Sequence, residues 1–480
     1  MHFFSVTFVF FLMAVFLIYW MLPFQYRTVA LLIANVIFCG YFDARYLLFL
    51  FLAMIISYSS AIMIEKTPGK SGKKAILITG LVLTLSFLIV CKYANFSLYT
   101  LSKVLNAVSI PFEEHTLQLI MPLGISFYTF EMVGYLADVY RGNCKAEKSI
   151  LKYAVFSSFF ANVSSGPIER AGHFLPQLEG NKRFSYEQAV MGLRLVLLGA
   201  LKKFVFADSL ARYVNLVFDD VGNKTGLCAV LATIMFTFQI YCDFSGYSDM
   251  AVGFAKLFGF ELVSNFKSPY FADGVKDFWR RWHISLSGWL RDYVYIPLGG
   301  SRVSTLRKYR NLLVTFLVSG LWHGANFTFI LWGGIHGVCQ IIEDMWRGRQ
   351  QKCAKQVTHP VIRRRIRVFV TFCIVSFAWL FFRANYISEA LFMIRHTFPL
   401  GTFQNAMGLM GMTPFALIKI CAAIIFVMCF DYFNEKEDLL FKMNHMPLFF
   451  RWTGYIAVTA LILVLRLHSS GAQEFIYFKF

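Results

Sequence analysis

Long apolar stretches separated by short polar ones dominate this chain. The apolar runs fall at about 2–22, 28–43, 45–64, 75–101, 117–140, 153–168, 189–217, 227–256, 311–345, 366–383, 413–432 and 452–468. Several reach the roughly 20 residues that a helix needs to cross a hydrocarbon layer. Backbone polar groups in that layer must be satisfied within their own segment, which selects helices. The pattern predicts an all-α polytopic membrane protein with about 10–12 embedded helical segments, some of them re-entrant. One stretch departs from it. Over 274–297, Asp277, Arg280, Arg281, Ser287, Gly288, Arg291 and Asp292 recur at helical spacing, and Trp279, His283, Leu286 and Leu290 occupy another face. Such a pattern predicts an amphipathic helix at the cytoplasmic surface, with His283 on its inward, apolar side.

Charge orients the runs. Of the 480 residues, 58% are hydrophobic and 15% charged, against about 25% charged in soluble domains. The net charge of +19 resides largely in short loops, as the positive-inside bias requires. Nucleic-acid binding is excluded, since no soluble basic domain exists to carry it. Lys66, Lys70, Lys73 and Lys74 crowd one loop, and Arg302, Arg307, Lys308 and Arg310 another. Arg347, Arg349, Lys352, Lys355, Arg363, Arg364 and Arg365 crowd a third. The stretch 102–116, the Asp219–Asp220 region and 384–412 are poor in basic residues. Basic loops in the cytoplasm put the N-terminus outside. They also flank 153–168 and 311–345 on both sides, so each of these runs should enter and return. The second should break near Gly324-Ala325-Asn326, with His323 at a broken helix lining a cavity, the one setting where irregular backbone is tolerated at that depth. The first run reads as a retained helix, because Met1-His2-Phe3-Phe4 lacks a basic region and a small-residue cleavage site. With no linker or low-complexity tract, a single domain over 1–480 is expected. The 10 Cys form no Cys-x-x-Cys pair, which argues against a disulfide framework or a thiolate metal site.

Titratable groups inside apolar runs are the candidates for chemistry, because each is costly in hydrocarbon unless it faces a partner or a wet site. His323 stands in Ser319-Gly320-Leu321-Trp322-His323-Gly324-Ala325-Asn326. Its pattern leaves two readings open. One is a histidine packed in a small-residue interface around Gly320 and Gly324. The other is a general base near neutral pH. His283 follows Arg280, Arg281 and Trp282. It is either a packed neighbour of interfacial anchors or a second histidine at a cytoplasmic mouth, where the arginines attract donor phosphates. His336, between glycines, reads as helix packing. Asp243, Asp249, Glu131 and Asp138 read first as structurally paired carboxylates. No metal-ligand spacing joins these groups, so no metal is expected. No phosphate-cradling glycine loop or Gly-x-Ser-x-Gly nucleophile elbow is present either.

Longer blocks carry a resemblance. Asp277-Phe278-Trp279-Arg280-Arg281-Trp282-His283 runs on to Tyr295-Ile296-Pro297-Leu298-Gly299-Gly300, and Ser319–Gly324 is followed by Trp332-Gly333-Gly334-Ile335-His336-Gly337. With Met121–Phe130, Gly166-Pro167-Ile168-Glu169-Arg170, Asp243–Asp249 and the ending Glu474–Phe480, the chain resembles the membrane-bound O-acyltransferase family. The branch it looks most like contains the bacterial alginate O-acetyltransferase membrane subunits. The resemblance implies a helical core around a funnel or tunnel, with His323 catalytic and His283 a second functional histidine nearer the cytoplasm. Arg280, Arg281, Trp282, Trp322, Asn326 and Asp243 are then expected to contact substrate. It further implies a cytoplasmic acyl donor, acetyl-CoA or an acyl carrier, with no bound cofactor. An extracytoplasmic transferase partner, a polysaccharide acceptor and a lipid surround complete the expectation, in the bacterial cytoplasmic membrane. A sister branch transfers D-alanine to teichoic acids. A transporter or flippase of a lipid-linked substrate is the rival from another class, since broken helices and midplane polar groups also suit transport.

Overall fold

A computed structural model of the chain describes residues 1, 3, 5–113, 116–352, 360–468 and 475–476. Glu474 and Tyr477–Phe480 of the terminal block, Lys355 of the third basic loop, and His2, Phe4 and Glu114 lie outside the described residues. The chain is all-α, as the apolar periodicity requires. Among the described residues, six helices are long and apolar enough to cross a membrane, and Val6–Met21 and Phe24–Gly40 are shorter apolar helices. The chain divides into two compact units, one of residues 1–193 with 251–263, the other of 194–250 with 264–480.

The first unit holds α1 (Val6–Met21), α2 (Phe24–Gly40), α3 (Arg45–Lys66), α4 (Lys70–Leu88), α5 (Ala94–Ala107), α6 (Ile125–Arg141) and α7 (Ile150–Ser158). Local chemistry sets several ends. Ser5 and Ser149 accept hydrogen bonds from Phe8 N and Lys152 N, satisfying amide donors that a helix leaves open at its start. Gly142 ends α6 in a left-handed turn at φ 76°, a conformation glycine adopts without a Cβ penalty.

After Ser158 the run expected to enter and return leaves the helical path, and residues 159–169 are buried as turns and irregular backbone. Buried irregular backbone needs internal partners. Asn35 supplies two, donating to Ser158 Oγ at 3.2 Å and accepting from Phe160 N at 3.0 Å. Glu131 Oε1 accepts from Asn162 Nδ2 at 2.8 Å and from Glu169 N at 3.0 Å. Glu169 in turn accepts from Val263 N at 2.7 Å and pairs with His173 Nδ1 at 2.8 Å. Glu131 and Asp138 thus part company: the first is buried, while the second accepts from Asn143 at the end of α6.

Two helices carry residues of both units, α8 (Tyr186–Ala200) and α10 (Leu227–Leu257). In the second unit a Cβ on Gly199 would overlap the Gly246 backbone, and the reverse holds for Gly246. Only small residues let two backbones approach this closely. Directly after α8 the helix widens into a π-turn at Leu201–Ala207, leading into α9 (Asp208–Phe218). Both Lys202 and Lys203 point inward there. Lys202 meets Asp249 at 2.7 Å, and Lys203 bridges Asp243 at 2.6 Å and Asp208 at 2.9 Å.

The rest of the second unit includes α11 (Val275–Arg281), α12 (Ile284–Leu290), α13 (Thr305–His323), α14 (Phe327–Lys352), α15 (Pro360–Arg383), α16 (Pro414–Lys436) and α17 (Leu448–His468), with short helices and turns between. The apolar run 311–345 is a hairpin of α13 and α14, broken at Gly324-Ala325-Asn326 where the basic flanks placed the break. Its helices meet through glycine: a Cβ on Gly320 would overlap the Phe329 carbonyl, and one on Gly333 the Phe316 carbonyl. Gly324 differs from expectation. It lies beyond the helix end against the Phe329 ring, so it forms no Gly-x-x-x-Gly helix face with Gly320.

Candidate active site

The amphipathic stretch expected as one helix over 274–297 is two, bent at Trp282-His283. His283 adopts φ 43°, a conformation that costs a non-glycine residue energy unless its surroundings enforce it. Asn265 does so. Its carbonyl accepts from Ile284 N at 3.0 Å and its side-chain oxygen from Ser285 N at 3.2 Å. On the other side of the bend, Lys267 N donates to Arg281 O at 3.0 Å. The bend turns the His283 ring into the interior, where it is fully buried, with the Phe244 ring edge-on at 4.7 Å.

The hairpin break delivers the second imidazole. His323 is the last residue of α13, which stops at the hairpin break. Its ring lies 6.3 Å from that of His283, centroid to centroid. Trp322 stands 5.8 Å from His283. Trp332 and Phe382 wall the His323 ring edge-on at 5.0 and 5.4 Å, a favourable geometry for aromatic pairs. Behind them Trp332 stacks on Trp379 at 5.4 Å, and Trp282 packs on Trp379 at 5.0 Å. The result is a box of indoles around two buried histidines.

His336 forms the next layer. Trp279 Nε1 donates to His336 Nδ1 at 3.3 Å, and the ring lies parallel to Phe278 at 6.1 Å. The bond ties α11 to α14.

The other expected contacts divide. Trp282 and Trp322 are part of the box. Asn326 sits in the hairpin break, where its amide donates to Asn385 O at 2.8 Å and its oxygen accepts from Thr328 N at 3.0 Å, fastening the start of α14. Asp243 is held by Lys203 and accepts from Ile476 N at 2.8 Å, so it anchors the terminal segment. Phe475 of that segment stacks on Tyr247 at 4.5 Å and lies 6.0 Å from Phe244, the ring that touches His283. Arg281 is committed to Asp277 at 3.0 Å and to Glu435 at 2.7 Å, while Arg280 is exposed. Sequence reasoning missed Asn265, Phe244, Trp332, Trp379 and Phe382 as parts of the site. The signal for Trp332 was present in its glycine-flanked block and that for Phe244 in Asp243–Asp249; Asn265 carries none.

Comparison with known proteins agrees with this architecture. The membrane-bound O-acyltransferase family matches over residues 145–384, a span that contains both histidines, the bend and the hairpin. Relatives cover more of the chain. It is 36% identical over 442 residues to the "Probable alginate O-acetylase AlgI" of Pseudomonas aeruginosa, covering 91% of this chain and 83% of that protein.

The chain belongs to the membrane-bound O-acyltransferase family.

Within that family it falls in the AlgI-like branch. It is also 35% identical over 391 residues to the "Peptidoglycan O-acetyltransferase" of Helicobacter pylori, covering 76% of this chain and 72% of that one. Similarity to the "Teichoic acid D-alanyltransferase" of Bacillus subtilis is 29% over 259 residues, covering 51% of this chain and 66% of that protein. As a member of this O-acyltransferase family with, among the described residues, six helices suited to crossing a bilayer, it is a multi-pass protein of the bacterial cytoplasmic membrane.

Proposed function

We propose that the protein, working as a single acyltransferase domain, takes an acetyl group from cytoplasmic acetyl-CoA and passes it across the membrane for O-acetylation of a cell-surface polysaccharide such as alginate. The observation that carries this reading is the meeting of His283 and His323, 40 positions apart in sequence, at 6.3 Å in one aromatic box. In the step proposed, a neutral His323 takes the proton of an acceptor hydroxyl as its oxygen attacks the thioester carbonyl. The carbon–sulfur bond breaks, the ester forms, and the leaving thiolate receives the proton. His283 orients the donor or relays that proton. The donor enters past Arg280 and Arg281, Trp282 and Trp322 flank the acyl group, and Asn326 and Asp243 contribute by holding the elements that carry the site. The immediate acceptor is a sugar hydroxyl or an extracytoplasmic transferase that passes the group on.

A general base contributes about 10²–10⁴ in rate. A His323→Ala strain with normal membrane levels of the protein should therefore lose polysaccharide acetylation by at least about a hundredfold. Undiminished acetylation would remove His323 from catalysis. The likeness to teichoic acid D-alanyltransferases supports a second donor, D-alanine on a carrier protein; labelled D-alanine in the product, with no labelled acetate, would replace the first reading with this one.

A further inference from the structure

Among the described residues Arg194, on α8, is the only buried arginine, at 4% exposed. A guanidinium keeps its proton in a protein, and a buried charge is normally paired. Arg194 has only neutral partners among the described residues. Its Nε donates to the Tyr455 hydroxyl at 2.8 Å, and its Nη1 to Leu440 O at 2.8 Å and Asn444 Oδ1 at 2.7 Å. Nη2 is buried and donates to no described residue. Both of its N–H groups, and the charge itself, are therefore unspent. The neighbouring acids are committed elsewhere. Glu435 pairs with Arg281 at 2.7 Å, Glu437 pairs with Lys442, and Asp438 caps Phe441 N at 3.0 Å. Lys436 bonds only a hydroxyl, that of Tyr432 at 3.0 Å. The stretch from Lys436 to Arg451 is thus left cationic, as a cytoplasmic loop should be.

We propose that Arg194 anchors a binding site for an anionic phospholipid, whose phosphate accepts from Nη2 while its acyl chains lie along α17. Guanidinium is the side chain best matched to a phosphate, through charge-assisted and often bidentate bonds. Basic pockets between membrane helices on the cytoplasmic side take such headgroups. The cover over Nη2 is thin. It consists of the short turns Leu439–Lys442 and Met443–His445, in which Phe441, Lys442, Asn444 and His445 are exposed. Arg194 holds that cover through Leu440 O and Asn444 Oδ1, neutral acceptors that a charged phosphate outcompetes. A free phosphate shares this chemistry. The surface of α17 favours the lipid, because Phe449, Phe450, Trp452 and Ile456 are exposed and match the apolar half of such a ligand. Aromatic rings at the start of a membrane helix are also where the headgroup level falls. The inference is independent of the acyl-transfer reading, since none of its residues is assigned to the reaction.

The test uses the full chain in neutral detergent. Native mass spectrometry reads the retention of added phosphatidylglycerol, with phosphatidylcholine as the zwitterionic control and inorganic phosphate as the soluble one. Arg194→Gln keeps a hydrogen-bonding head without the charge and should lower phosphatidylglycerol retention at least about tenfold. Asn444→Ala removes part of the cover and should retain the lipid at least as well as wild type. Phosphatidylglycerol should raise the unfolding midpoint of the wild type, phosphatidylcholine should not, and Arg194→Gln should lose the rise. Equal retention in Arg194→Gln and wild type overturns the proposal. So does equal retention of the two lipids. A rise in midpoint reproduced in full by inorganic phosphate also overturns it, by making the site one for a soluble anion. Should Arg194→Gln fail to fold, photo-crosslinking of the wild type decides. Phosphatidylglycerol with a photoreactive headgroup should label residues 186–200 or 439–456, and label confined to other segments sinks the site.

Discussion

The two faces of α11 differ as much as any two regions of the molecule, although they share seven residues. One face places Phe278, Trp279 and, at the bend, Trp282 against other aromatic rings, with no charge among them. The other places Lys276, Asp277, Arg280 and Arg281 in a charged cleft. Acyl transfer needs both environments close together. A base works best where water is excluded and partners are fixed, whereas a phosphorylated ligand is caught by solvent-accessible cations. A short amphipathic helix with a histidine at its end keeps them apart by its own width.

The comparison can be broken from either side. The largest effect is expected on the aromatic face: Trp282→Ala should cost about 3–5 kcal/mol, read as a lowered unfolding midpoint in detergent together with lost acetylation. An unaltered midpoint would mean that the box is not a packed core. On the charged face, Arg281 and Arg280 are adjacent yet differently committed, which makes them a sharper pair. Arg281→Ala strands Asp277 and Glu435 and should cost about 1–3 kcal/mol with little change in KM for the donor. Arg280→Ala should leave stability within about 0.5 kcal/mol and raise that KM. The same outcome for both variants would erase the distinction between wall and contact. Trp279→Phe removes the hydrogen bond to His336 and part of the ring that packs on Phe316 and Trp332 and should cost about 1–3 kcal/mol, with activity lowered through kcat if that bond positions the box.

The smallest effect lies in the first unit. Its bond to Glu169 raises the His173 pKa above the ordinary 6.5. A raised folded pKa means stabilisation present at and below 6.5 and lost as pH climbs through the folded value. His173→Gln should therefore differ from wild type in unfolding midpoint near pH 6 and converge with it at higher pH. A gap that is constant with pH would deny the ion-pair character of the contact. His173 is nearly half exposed, so the shift should be small.

Much of the fold was legible because it follows from local rules. Apolar runs of bilayer length announced the helices, and basic flanks on both sides announced the broken hairpin at Gly324-Ala325-Asn326. His283 was expected to point inward from one continuous helix, and it does point inward, but through the bend instead. The bend at His283 was not legible, since Asn265 imposes it from outside the helix. Nor was the fate of Asp243, whose partners Lys203 and Ile476 lie 40 and 233 positions away in sequence.

By itself, then, the order of apolar and charged residues determined the class of protein, the helices, the break at Gly324-Ala325-Asn326 and the candidate histidines. These depend on the cost of exposing polar groups to hydrocarbon, which every segment meets on its own. Tertiary structure alone decided that His283 and His323 share one box, that Asn326 and Asp243 fasten elements in place, and that Arg281 is spent while Arg280 is not. Those outcomes depend on which side chains from distant segments arrive within a few ångströms of each other. Ion pairing and ring packing act only at that range.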